Sequence, residues 1–178
     1  MTQLHPTAIA FATTVYRSVS PKYATESDLL TGIGSQRYGG RWNPRGVAVV
    51  YNSLTPETAM AETLAHYRYY GIPIEDAMPR TFLAVVVKLK TILDFRQGAV
   101  RRRLQISLDR ILTADWRKEV RAGQAPITQL LGQAAVEVGL EGLIVPSNAD
   151  PRGHNLLVFP QNLQPGSTAV VLHSEGLR

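Results

Sequence analysis

The sequence contains no cysteine, which excludes a disulfide framework and any chemistry that needs a thiolate. It contains no apolar run of about 18 residues, so no membrane-spanning helix is expected. The opening stretch MTQLHPTAIAFATTVYR lacks a basic segment followed by a long apolar core, so no signal peptide is expected either. These absences together point to a cytoplasmic protein. The histidines at 5, 66, 154 and 173 share no HxxH or HExxH spacing, which argues against a zinc site. No GxSxG elbow and no P-loop occurs. Gly32-Ile33-Gly34 runs on into Ser35-Gln36-Arg37 without the third glycine of a dinucleotide-binding turn, so a Rossmann-type dehydrogenase is poorly supported. There is no internal repeat and no low-complexity linker, and the whole of 1–178 reads as one domain.

What is present is ordinary globular composition: 178 residues, 44% hydrophobic and 19% charged. A chain of this length buries roughly two thirds of the surface it exposes when unfolded, so it needs no covalent staple. The formal charge is +5 and the pI about 9.7. A basic surface attracts nucleic acid, anionic lipid or small polyanions such as dinucleotides. The excess is spread along the chain apart from Arg101-Arg102-Arg103. That triplet leaves open a non-catalytic nucleic-acid-binding module as one class of function.

The pattern predicts an α+β fold, with strands early and late around a helical middle and a buried mixed sheet of short apolar strands. Val47 to Tyr51 is apolar and β-branched at three positions, and reads as a buried strand. A helix should follow, capped by Thr55, with Pro56 in its first turn, and should end before Gly71. Phe82 to Leu89 is a further strand. Residues 98–121 read as helix in two pieces. Ile127, Leu130, Leu131, Ala134, Ala135 and Val138 recur at helical spacing between Pro126 and Gly139. Leu143 to Val145, Leu156 to Phe159 and Ala169 to Leu172 complete the strands. The first ten or so residues are expected to be loosely ordered.

Five positions attract chemical interest, each with a plainer alternative. In Gly39-Gly40-Arg41-Trp42-Asn43-Pro44 the glycines permit left-handed backbone and close approach of a ligand. Arg41 can grip a phosphate through its planar fork, or it is a surface arginine beside a Trp that plugs the core. Arg17, after Tyr16 at the end of a first strand, is either an anion ligand or a surface side chain. Tyr51 can stack on a flat ring or serve as a core aromatic. On the helix from Thr55, Met60, Leu64 and Tyr67 share one face, and Glu62 lies about 200° from Met60, beside Thr58 and His66. Glu62 is therefore on a solvated face, or it faces a cleft at the end of the preceding strand. Ser147 opens the polar loop SNADPRGHN after a strand, where it can bond a phosphate or ribose hydroxyl or merely make a turn.

Taken in order, Val15-Tyr16-Arg17, Gly39-Gly40-Arg41-Trp42-Asn43, Val50-Tyr51, Ala61-Glu62-Thr63, Gly142 to Ser147 and Asn155 to Phe159 resemble the RES domain family over about residues 14–172. The resemblance implies an ADP-ribosyltransferase-like mixed β-sheet with flanking helices. It implies an NAD⁺-degrading toxin, by phosphorolysis or hydrolysis, with protein ADP-ribosylation as the alternative. It places Glu62, Arg17 and Ser147 in catalysis, and Arg17, Arg41, Tyr51 and Ser147 on NAD⁺. No metal and no resident cofactor is implied; NAD⁺ is the substrate, with inorganic phosphate a candidate co-substrate. The implied partner is an Xre-type helix-turn-helix antitoxin that blocks the site. The DNA-binding domain lies on that partner, so direct nucleic-acid binding by this chain is not expected.

Overall fold

Over Gly142–Pro146 and His154–Val158 both sides of the sheet are covered, and this explains why those strands read as unbroken apolar runs; over 85–90 and 168–172 alternate residues are exposed. Residues one apart on a strand point to opposite faces. Leu143, Val145, Leu157 and Phe159 accordingly enter one core cluster with Trp42, Phe95 and the helices. Their neighbours Ile144, Leu156 and Val158 enter a second cluster with Val15, Val85 and Val87. The computed structural model describes residues 7–24 and 29–172. Its strands are β1 (Ile9–Val19), β2 (Val50–Ser53), β3 (Thr81–Asp94), β4 (Gly142–Pro146), β5 (His154–Val158) and β6 (Thr168–Leu172).

The strand order is β1-β2-β5-β4-β3-β6, and β1 also pairs with β3. The sheet thus closes into a barrel-like ring, with β6 added along β3. Pairing is antiparallel except between β3 and β4, so the sheet is mixed, as expected. Closure is uneven. β1 and β3 pair almost throughout, from Ile9↔Ile92 to Val19↔Thr81, whereas β1 meets β2 in the single pair Tyr16↔Ser53. The wall opens there.

The helices are α1 (Ile33–Tyr38), α2 (Pro56–Tyr69), α3 (Gly98–Arg103), α4 (Leu108–Thr113), α5 (Trp116–Arg121) and α6 (Ile127–Glu137). α2 begins as its sequence predicts: the Thr55 hydroxyl accepts from Thr58 N at 3.2 Å, and Pro56 follows.

Several expectations change. The strand expected from Val47 begins only at Val50. β1 and β3 are long, not short. The segment 98–121 makes three helices, because Ser107 and Asp115 each cap a new start by accepting from Arg110 N and Lys118 N. On α6, Leu130 is exposed, and the buried residues are Thr128, Gln129, Gly132 and Ala135. The helix α1 had no clear apolar period and was not anticipated. The looseness expected of the first ten or so residues concerns mainly 1–6, which lie outside the described residues; by Ile9 the chain is strand. No helix among the described residues is long and apolar enough to cross a membrane.

Candidate functional site

The turn before β2 is built by its own glycines and by Tyr51. Gly39 has φ +74°, a left-handed conformation that favours glycine. Gly40 is needed for space: a Cβ there would come within 2.6 Å of the Tyr51 hydroxyl and 2.8 Å of Asn43 Oδ1. The close approach that Gly40 permits is therefore to Tyr51 and Asn43. The Tyr51 hydroxyl accepts from Trp42 N at 3.0 Å and donates to Asn43 Oδ1 at 2.7 Å. Burial raises its pKa above the ordinary tyrosine value. Asn43, fully buried, donates in turn to the carbonyls of Ser35 and Val47.

Trp42 is the core plug, 2% exposed and tilted against Phe95 with centroids 5.9 Å apart. From behind, α6 holds the turn through Gln129 Nε2, which donates to Gly40 O at 2.8 Å. Arg41 points the other way. Its Nη2 donates to Ile111 O at 2.5 Å, to Leu112 O at 3.3 Å and to Asn148 Oδ1 at 3.3 Å. Burial lowers its pKa, and the nearby Glu62 carboxylate works against that shift.

Glu62 does not sit on a solvated face. The buried side of α2 is made by Thr58 and Ala59, while Met60, Leu64 and Tyr67 are half-buried. Glu62, one turn on from Thr58, faces the opening beside β2 and β5. Its Oε1 accepts from Ser147 Oγ at 2.7 Å and from Asn155 Nδ2 at 2.6 Å. Its Oε2 accepts from no described residue. Asn155 is itself fixed by Ser53 Oγ, which donates to its Oδ1 at 2.8 Å. Ser147 is 2% exposed. Besides donating to Glu62, its hydroxyl accepts from Ala149 N at 3.1 Å and Asp150 N at 3.0 Å. Ser147 thus meets the site through Glu62, with its hydroxyl already engaged.

Arg17 has the strand parity of Val15, which is fully buried. Its side chain enters the ring's interior, and its Nη1 donates to Leu29 O. Burial pushes its pKa down to about 10, which leaves it charged at neutral pH.

Arg17, Arg41, Tyr51 and Glu62 line one cleft of about 380 Å³, together with His66, Arg80, Asn148 and Asn155. Ser147 stands just behind it. The five residues singled out in the sequence are therefore brought together. Asn155, His66 and Arg80 were not singled out individually. Asn155 had a signal only as part of a matching stretch, and His66 only as the residue one turn beyond Glu62. Burial and the charges of Arg117 and Arg80 lower the His66 pKa, which favours the neutral ring. The Arg101 to Arg103 triplet is not one charged face, since Arg101 Nη1 donates to the carbonyls of Phe95 and Arg96.

Comparison with known proteins finds relatives that are named as toxins. The family model described as RES domain matches residues 14–176. A protein named toxin Res, from Yersinia enterocolitica, is 30% identical over 153 residues, covering 83% of this chain and 84% of that protein. The Prs ADP-ribosylating toxin of a Sphingobium species is 37% identical over 62 residues, 35% of this chain and 38% of that protein. Among solved structures, the M. tuberculosis MbcT–MbcA toxin–antitoxin complex contains a chain with the same fold. The TM-score is 0.71 at 22% identity, over 93% of this chain and 84% of that one.

Proposed function

The chain belongs to the RES domain family, and on that premise we propose that it is the toxin of a toxin–antitoxin pair and acts by cleaving the nicotinamide–ribose bond of NAD⁺. The observation that carries the reading is the state of Glu62. One carboxylate oxygen is pinned by Ser147 and Asn155, and the other is left to the same cleft that Arg17, Arg41 and Tyr51 line. A buried arginine such as Arg17 is suited to a phosphate, because its fork bonds two oxygens and stays charged.

In this reading the bond between the nicotinamide nitrogen and ribose C1″ breaks, and its electron pair leaves with the ring, which departs as neutral nicotinamide. The ribose is left as an oxocarbenium ion. The free oxygen of Glu62 stabilises that positive charge and holds the ribose hydroxyls. Tyr51 offers its ring to the cleft while its hydroxyl fixes the Arg41 turn. Ser147 acts as a positioning residue for Glu62. Capture of the cation by inorganic phosphate gives ADP-ribose-1″-phosphate; capture by water gives ADP-ribose and a proton. The fold assignment that accompanies this chemistry is ADP-ribosyltransferase-like. The cognate antitoxin is an Xre-type protein that covers the cleft.

A second reading, transfer of ADP-ribose to a protein, is favoured by the similarity to the Prs ADP-ribosylating toxin. The bond broken is the same and only the nucleophile differs. Mass spectrometry of products tests both. NAD⁺ incubated with the chain should yield nicotinamide with one of the two ADP-ribose products, and the product should change with phosphate if phosphate is the nucleophile. Label from NAD⁺ found only on a protein band in lysate would select the second reading. No loss of NAD⁺ under any condition would contradict both.

A further inference from the structure

The inner face of β2 carries a polar side chain where an apolar one would be expected. Val50 and Asn52 share a strand face, and Asn52 stands opposite Leu156 of β5. Val50 and Leu156 both belong to the apolar cluster inside the ring. Asn52 therefore enters the same interior, and it is 3% exposed. Its Nδ2 donates to Val50 O at 3.3 Å and to Leu156 O at 3.5 Å, both long bonds. Its Oδ1 accepts from no described residue. In a planar amide the oxygen lies on the opposite arm from the nitrogen, so it points away from those two carbonyls. A buried acceptor without a donor is costly, and an apolar side chain of similar size would avoid that cost.

Asn52 lines a cavity of about 190 Å³ inside the ring. The rest of the wall is aliphatic, and includes the buried Val85, Val87 and Val158 and the half-buried Ala169 of β6. No charged side chain lines it among the described residues. An aliphatic cavity of about 150 Å³ is enough to take up benzene. Water suits the space poorly, because it needs two to four polar partners and Asn52 is the one polar side chain in the wall. Asn52 also borders the Glu62 cleft, so the two spaces lie on either side of its amide.

We infer that the cavity inside the ring is a binding site, separate from the Glu62 cleft, for a small neutral molecule made of one six-membered ring that bears a single O–H or N–H donor. The donor meets Asn52 Oδ1, and the ring fills the space between the valines. A charged ligand, or one with several polar groups, does not fit, because the wall would leave those groups unsatisfied. The site goes beyond the NAD⁺ reading and does not depend on it.

Phenol and benzene are the probes, alike in size and different in the one donor. Titration of the full chain is followed by NMR of its valine methyl groups. Both probes should cause saturable shifts at Val85, Val87 and Val158, and phenol should bind about tenfold more tightly, as one hydrogen bond provides. Asn52→Val removes the acceptor and keeps a strand-forming side chain. It should still bind benzene, lose the preference for phenol, and melt no lower than the wild type. Ala169→Leu fills the cavity from its rim and should weaken both probes about tenfold or more. Should Ala169→Leu not fold, the wild type and Asn52→Val decide the matter. The inference is overturned by the absence of saturable binding to the wild type, or by shifts confined to the Glu62 cleft at Tyr51 and His66. It is equally overturned if Asn52→Val keeps the preference for phenol, or if folded Ala169→Leu binds both probes as the wild type does.

Discussion

Ser147 and Asn155 converge on a single oxygen of Glu62, 2.7 and 2.6 Å away, and that convergence decides which way the carboxylate faces. Ser147→Ala removes one of the two donors and frees the Ala149 and Asp150 amides from their acceptor. If Ser147 positions Glu62, kcat for NAD⁺ should fall about tenfold or more, as expected for the loss of one hydrogen bond to a charged group. KM should change little, because the arginines are untouched. Steady-state kinetics on the variant check this, and an unaltered kcat would remove Ser147 from the machinery. Much of the candidate site was legible in the sequence. Arg17, Arg41, Tyr51, Glu62 and Ser147 could be named from ordered motifs, and the helical angle of Glu62 set it apart from the Met60 stripe. The helical angle could not decide between cleft and solvent. That depends on Thr58 and Ala59 being the buried face of α2, where the larger Met60 and Leu64 would have been expected. Asn155 was illegible as a ligand of Glu62 because the contact joins positions far apart in the chain. The role of Tyr51 in holding the Arg41 turn has a different origin: its partners Trp42 and Asn43 are near in the chain, but the contact depends on how the glycine turn folds back over β2.

At the scale of elements, strands buried on both faces declare themselves as short apolar runs, and β4 and β5 fell where those runs fall. The stretch 98–121 is helical, but its apolar pattern does not show the breaks, which are made by the N-caps Ser107 and Asp115. In α6 the periodic apolar residues suggested the buried face. The helix instead turns Gln129 and Gly132 inward, because it must lie close against the Gly40–Trp42 turn. That closeness is severe: a Cβ on Gly132 would come within 1.8 Å of Trp42 O. Gly132→Ala should therefore push α6 and the turn apart. The expected cost is about 1–3 kcal/mol, as for overpacking in a core, with a lower melting temperature and weakened NAD⁺ turnover through displacement of Arg41. Thermal melts and turnover assays check this. A variant as stable and as active as the wild type would mean that the turn is not held by α6.

For the whole molecule, the decisive feature is a ring that closes fully between β1 and β3 and barely between β1 and β2. The cleft follows from that asymmetry, which no local sequence pattern reveals. Ring closure also relies on Glu141, fully buried at the start of β4. Burial alone would raise its pKa, but donation from the Gln164, Thr91 and Lys90 backbone N–H groups outweighs burial and holds it below the usual 4.5. A carboxyl with a lowered folded-state pKa adds stability above its unfolded value and loses it as pH falls through the folded one. Stability should thus fall as the solution is acidified below about pH 4.5. Glu141→Gln should be less stable at neutral pH and lose less on acidification, which urea unfolding at several pH values would show; an unchanged acid limb would contradict this. The central claim, that this fold presents Glu62 to the breaking glycosidic bond, is tested most directly by nicotinamide release from saturating NAD⁺ by wild type and Glu62→Gln. The account predicts a kcat lower by about a hundredfold, equivalent to about 3 kcal/mol of transition-state stabilisation, with NAD⁺ affinity nearly unchanged. A Glu62→Gln protein that releases nicotinamide at the wild-type rate would contradict it.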